Sequence, residues 1–302
     1  MIRGKVMILY IRALGFTQFD SKDKAEDLVA SIIKDPAAKY VWEGTDGRIY
    51  VEFFKEFGKG FGLVVRGTIA ENEEINVHSL VPSTRSNFLI DTHEVDVVQL
   101  EDKDIYQGFC EEIASGTPIS FYLQNLKEYN EIEDNEDIYI EGVRLSAYCV
   151  DGTIILPIDK DNTDVLLEEE EEKIRKELLE QARKGDEDAM NTLDEEADEA
   201  SRMLQERLKS EDILSVLEGF FVPVGDQDDV YSVLGNITRV ELLTNRKTNE
   251  EIFHIELLCM TVPLEVYVNK KDLVGVPTPG MRFKGTCWLH GEIDFHYEDI
   301  SK

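Results

Sequence analysis

Residues 163–218 interrupt a strand-rich chain with a stretch that reads as helical from end to end, and the rest of the sequence divides around it. Asp164 stands where an N-cap would. Val165, Leu167, Ile174, Leu178 and Leu179 follow as the apolar positions of a helix that Gly185 ends. Three acid-first pairs at i,i+4 spacing support it: Glu169 with Lys173, Glu171 with Arg175 and Glu172 with Lys176. Each such pair contributes about 0.2–0.5 kcal/mol to a helix. A second helix starts at Asp186, a third covers 201–217, and residues 182–189 have the composition of a helical-hairpin turn. A single copy is not a solenoid, because repeats of that kind bury a core only by stacking on neighbours. Residues 161–218 hold 21 acids against 8 bases, the densest acidity in a chain whose net charge is −31. The run Glu168 to Glu172 is read as a solvated helix face.

On the N-terminal side, 7–160, short helical and strand patterns alternate. Asp20 or Ser21 caps a helix to about Lys34, with Ala25, Leu28, Val29, Ile32 and Ile33 as its stripe and Pro36 as its stop. Tyr40 to Trp42 and Arg48 to Phe54 flank the hairpin turn Thr45-Asp46-Gly47. Further strands fall at 61–69, 75–81 and 118–122, a short helix at 106–114, and a hairpin at 144–157 turning on Asp151-Gly152. On the C-terminal side, 219–302, strand patterns cover 231–243, 252–258, 264–268 and 282–289. The expected architecture is α+β in three parts: an α+β domain over 7–160, an acidic helical connector over 161–218 and a small β domain over 219–302. The last fits a small barrel or sandwich, the OB type being one candidate. Met7 is an alternative start to Met1.

The charge narrows the partners. A net charge of −31 repels phosphate backbones and anionic lipid, which disfavours nucleic acid and membrane surfaces. No run approaches the roughly 20 apolar residues of a membrane span. Cys110, Cys149, Cys259 and Cys287 lie far apart among apolar neighbours, with no CxxC pair, so a reduced cytoplasm fits better than a disulfide framework. High charge also serves simply to keep a cytoplasmic protein dissolved.

Several phrases spread along the chain belong together: Lys55-Glu56-Phe57-Gly58-Lys59-Gly60, Phe121-Tyr122-Leu123-Gln124-Asn125, Ile154-Ile155-Leu156-Pro157 and Gly185-Asp186-Glu187. Tyr231-Ser232-Val233-Leu234-Gly235, Asn269-Lys270-Lys271-Asp272-Leu273, and Arg282-Phe283-Lys284-Gly285 followed by Trp288-Leu289 complete the set. In these the chain resembles an uncharacterised clostridial bacterial family, domain of unknown function 3881. The resemblance implies no activity and no functional residue. Two positions depart from it: Ser83-Thr84 replaces an aromatic pair after Pro82, and His290 replaces a glutamine after Leu289.

Among candidate sites, the segment His290 to His296 is the richest. As a strand it places His290, Glu292, Asp294 and His296 on one face, a donor set suited to zinc, manganese or iron. Alternate strand residues lie about 6.5–7 Å apart, so four cannot reach one ion without curvature. A polar outer face is the plainer reading. Gly58, Gly60 and Gly62 sit in a lysine-bearing loop, but a strand follows where a phosphate cradle needs a helix, which favours a hairpin. Asp159, Asp161, Thr163 and Glu170 match four positions of a calcium loop that lacks its glycine, and helix capping explains them better. Arg85, Lys55, Lys59 and Arg66 are candidates for one basic patch. No nucleophile elbow, zinc helix or cysteine active-site phrase occurs, and no cofactor is indicated. The leading expectation is a non-catalytic binding module for another cytoplasmic protein. The alternative is an enzyme with a metal-assisted site in the C-terminal β domain, and a third idea is an acidic mimic of nucleic acid.

Overall fold

The computed structural model describes residues 10–44, 46–100, 105–132, 138–158, 162–207, 209, 212–225 and 227–297. The fold is mixed α+β, with two β-sheets and a long helical hairpin. A 3-10 turn (Arg12–Leu14) and helix α1 (Lys22–Lys34) come first, the helix burying Ala25, Leu28 and Ile32 along the expected stripe. Strands β1 (Ala38–Glu43), β2 (Ile49–Gly58), β3 (Phe61–Ile69) and β4 (Ile75–Thr84) then form an antiparallel sheet in chain order. The glycine loop is the β2–β3 turn. Gly60 takes φ +74, where a side chain would strain the backbone, and a Cβ at Gly62 would strike the Lys55 carbonyl.

The second sheet begins with β5 (Thr92–Gln99), β6 (Tyr106–Glu112) and β7 (Pro118–Leu123). After helix α2 (Leu126–Ile132) comes β8 (Ile138–Ile155). The helices α3 (Asn162–Arg183), α4 (Glu187–Arg207) and α5 (Ile213–Val216) follow. The chain then forms β9 (Phe220–Val224), β10 (Gln227–Thr244), β11 (Glu251–Cys259), β12 (Val262–Asn269), β13 (Leu273–Val274) and β14 (Arg282–Tyr297). β10, β11 and β12 form an antiparallel meander, β8 runs parallel to β12, and β14 runs antiparallel to both β8 and β10. The pairings of these five strands therefore return on themselves. β14 also meets β7 in parallel at His290 and Gly291. The cuts drawn at 160 and 218 run through this sheet rather than between two, because β8 from one side is bonded to β12 and β14 from the other.

Three local expectations are corrected. Residues 106–112 are strand, not helix, since tertiary pairing with β5 and β7 overrides local propensity. Asp151-Gly152 is no hairpin turn but lies inside the 18-residue β8, where Gly152 sits opposite Gly285 and the Asp151 carboxylate accepts the Thr286 N–H at 2.9 Å. The second and third connector helices are largely one, α4, with a single separate turn at 213–216.

The strand period of two sorts the second sheet into two cores. Leu145, Ala147, Cys149, Val233, Leu257, Leu264, Val266, Cys287 and Leu289 pack together in one core, which Ile119, Phe121 and Leu123 of β7 also join. Neighbours of opposite parity (Tyr148, Val230, Tyr267 and Trp288) instead join Tyr122 and meet Val51, Phe53, Leu63 and Val65 of the first sheet and Leu28 and Ile32 of α1. The N-terminal segment is tied to the far end of the chain. Asn245 Nδ2 donates to the Leu14 carbonyl at 2.7 Å, and Arg12 grips Asp272 through two bonds of 2.6 and 2.7 Å. Among the described residues no helix is long and apolar enough to cross a membrane.

Candidate functional site

β14 does carry His290, Glu292, Asp294 and His296 on one face, but its path between the sheets gives them different surroundings. His290 is fully buried, its ring against Trp288, Tyr122 and Tyr148 at centroid distances of 4.1, 4.7 and 4.7 Å. Among the described residues neither ring nitrogen finds a hydrogen-bond partner. Burial holds this imidazole well below its usual pKa, and the nearby Arg66 charge adds to the effect. Glu292 is half-buried, which raises its pKa, and has Arg85 at 3.5 Å. Asp294 accepts from Arg144 at 2.6–2.7 Å, while His296 is exposed. The four side chains thus do not converge. Among the described residues no group of three or more His, Cys, Asp or Glu is placed to hold a metal ion.

The cations of the expected basic patch are also separated. Lys55 binds Asp35, Lys59 binds Glu241, and Arg85 lies at the surface near Glu292 and Asp294. Arg66 is buried, pairs with Glu52, and donates to the Tyr122 hydroxyl at 2.8 Å and the Leu123 carbonyl at 3.0 Å, joining the two sheets. Burial acts to lower its pKa, and Glu52 and Tyr122 outweigh that to keep it charged. Thr84 and His290 share a neighbour in Tyr148: Thr84 bonds its hydroxyl at 2.8 Å, and His290 packs edge-on against its ring. Cys149, Cys259 and Cys287 are buried in the core of the second sheet, where burial pushes the Cys259 and Cys287 thiols up and leaves them poor nucleophiles. Asp159 and Asp161 of the calcium pattern lie outside the described residues, as do Met1 and Met7.

The open surface lies elsewhere, beneath the α3–α4 hairpin. Arg183 fastens α3 to the β6–β7 turn, donating to the Ile113 carbonyl at 2.9 Å and to Glu111 at 2.6 Å. The hairpin thereby overhangs the middle of β10, at Asn236, and the end of β11, at Leu258, and leaves a cleft of about 660 Å3. Its apolar lining is Ile174, Ala200, Met203, Leu258 and Met260, and its charged lining is Glu196, Glu199 and Glu218 against one cation, Arg175. Ile174, Met203 and Met260 are 51%, 62% and 57% exposed, so large apolar groups stand in water here. Met260 begins the two-residue β11–β12 turn at φ +55, a region that non-glycine residues rarely adopt. On the other side of α3 a second cleft, about 590 Å3, is lined by Lys173, Arg175 and Lys176 facing Ser115, Thr117 and Thr261. Sequence reasoning missed both. The one signal available was the sparseness of apolar positions on α3 and α4, too few to bury both helices, and it does not say what they face.

No curated protein and no solved structure matches the chain. The sequence model of the family described as "Domain of unknown function, E. rectale Gene description (DUF3881)" matches residues 11–291, from the first buried turn to the middle of β14. With nearly every described element inside that match, the chain belongs to this domain-of-unknown-function family.

Proposed function

We propose that the chain is a non-catalytic interaction module that takes a basic amphipathic segment of another cytoplasmic protein into the cleft beneath the helical hairpin. The observation that carries this reading is an apolar floor of Ile174, Met203, Leu258 and Met260 bordered by three carboxylates, Glu196, Glu199 and Glu218, which outnumber the one lining cation, Arg175. Methionine-rich surfaces adapt to varied apolar partners, and a rim of carboxylates selects lysine and arginine over acidic competitors. The net charge of −31 extends that selection by steering cations from a distance. Buried reduced thiols are in keeping with a cytoplasmic setting. The finer architecture goes with this proposal: the cyclic pairing of β8, β12, β11, β10 and β14 supports a small OB-like barrel as the rigid base, with the hairpin inserted between β8 and β9. The metal-assisted enzyme draws no support from the dispersed surroundings of His290, Glu292, Asp294 and His296.

The test is fluorescence anisotropy of a labelled amphipathic peptide built from leucine and lysine, titrated with the full chain. Micromolar, salt-sensitive binding is expected, weakened about tenfold or more by Glu196→Lys with Glu199→Lys, in line with loss of complementary charges. Equal binding of a glutamate-for-lysine peptide, or of the charge-reversed protein, would falsify the reading.

A further inference from the structure

The cleft on the opposite side of α3 has a different chemistry and points to a different ligand. In a chain with 63 acids and 32 lysines and arginines, Lys173, Arg175 and Lys176 gather along one wall; the i,i+4 pairs that the sequence offers them with Glu169, Glu171 and Glu172 are worth only about 0.2–0.5 kcal/mol each, weak enough to yield to a bound dianion. The facing wall is made by the β6–β7 and β11–β12 turns, and its hydrogen-bond polarity is fixed from behind. Glu112 accepts four donors: the N–H groups of Ala114 and Ser115 at 2.8 and 2.7 Å, the Ser115 hydroxyl at 2.6 Å and the Thr261 hydroxyl at 3.1 Å. The Ser115 proton is committed to Glu112, so the 2.6 Å contact between Ser115 and Thr117 requires Thr117 to be its donor. The hydroxyl protons of Thr117 and Thr261 are therefore both used inside the wall, and their lone pairs remain as acceptors. Glu112, the acid behind this wall, is saturated by protein donors.

A wall of cations opposite a wall of acceptors suits a ligand that is strongly anionic at one end and rich in O–H donors at the other. Three cations match a phosphate dianion better than a single carboxylate. The volume of about 590 Å3 falls within the range of small-molecule pockets. We infer that this cleft binds a small phosphorylated polyol, with its phosphate against Lys173, Arg175 and Lys176 and its hydroxyls donating to Thr117 and Thr261. Arg175 and Met260 line both clefts, whereas Lys173, Lys176, Thr117 and Thr261 line this one and not the acidic cleft, so changes at those four residues test this site separately from the peptide site.

The experiment is isothermal titration of the full chain with glycerol 3-phosphate, ribose 5-phosphate, glucose 6-phosphate, inorganic phosphate and glucose. At least one phosphorylated polyol should bind, more tightly than inorganic phosphate by about tenfold, the worth of one or two added hydrogen bonds. Glucose should give no heat. Lys173→Ala with Lys176→Ala should weaken that ligand about tenfold or more while leaving the leucine–lysine peptide affinity unchanged. Thr261→Val should abolish the preference over inorganic phosphate. No binding by any of the three phosphorylated polyols at millimolar concentration overturns the inference, as does equal affinity for inorganic phosphate or an unaffected double-lysine variant.

Discussion

His290 shows how one residue can make stability depend on pH. Its ring gains packing from Trp288, Tyr122 and Tyr148, yet both nitrogens are buried without partners and Arg66 stands nearby with its positive charge. The folded-state pKa is depressed, so the folded form prefers the neutral ring. The corresponding stability is complete above the unfolded value near 6.5 and is lost as pH falls below it, by up to about 1.4 kcal/mol for each unit until the folded pKa is reached. Urea unfolding at pH 7.5 and 5.0 should therefore show a larger acid loss in the wild type than in His290→Leu, which cannot protonate. Parallel losses in the two proteins would refute the assignment. Glu265 belongs to a lower window. Burial alone would raise its pKa, but bonds from His254 at 2.9 Å and from Asn87 at 2.8 and 2.9 Å lower it, so its contribution fades only below the ordinary glutamate range.

At the scale of elements, the β11–β12 turn sets stability against use. Met260 at φ +55 carries the left-handed cost of about 1–2 kcal/mol, partly offset because a glycine there would lose more entropy on folding, roughly 0.5–1 kcal/mol. Its exposed side chain lines both clefts beneath α3 rather than a core. Met260→Gly is accordingly expected to leave the urea midpoint unchanged or slightly higher. The same change should weaken the leucine–lysine peptide about fivefold, through roughly 1 kcal/mol of lost apolar contact. A marked drop in stability would mean that Met260 serves packing and not binding. The hairpin above this turn was legible in outline. Its charge pairs, Gly185 and its weak apolar stripe identify α3 and α4 from the residues alone. Its place over β10 and β11 was not legible, because it depends on contacts such as the Arg183 clamp to the β6–β7 turn, made to residues 70 and 72 positions away.

For the whole molecule, the decisive contacts are those between distant parts of the chain. β8 pairs with β14 over most of the length of both strands, and Arg12 reaches Asp272 across 260 positions. Neither residues 1–160 nor residues 219–302 should fold alone, since each would expose a long unpaired strand edge and half of a shared core. Separate expression should give proteins without dispersed amide spectra, and a well-folded fragment from either side would contradict this. Local pattern by itself determined much of the element list: the α1 stripe, the β1–β2 hairpin, the four long strands of the C-terminal region (though not the short β9 and β13) and the one-face alternation of His290 to His296. These follow from periods of 3.6 and 2, which are properties of neighbouring residues. Strand partners have no such local code. Residues 106–112 became strand because β5 and β7 flank them, and Asp151-Gly152 stayed extended because β13 and β14 pair with that stretch of β8. Only the tertiary structure decided that alternate residues of β14 face a buried ring cluster, two arginines and open water, since one strand crosses all three environments as it leaves the core.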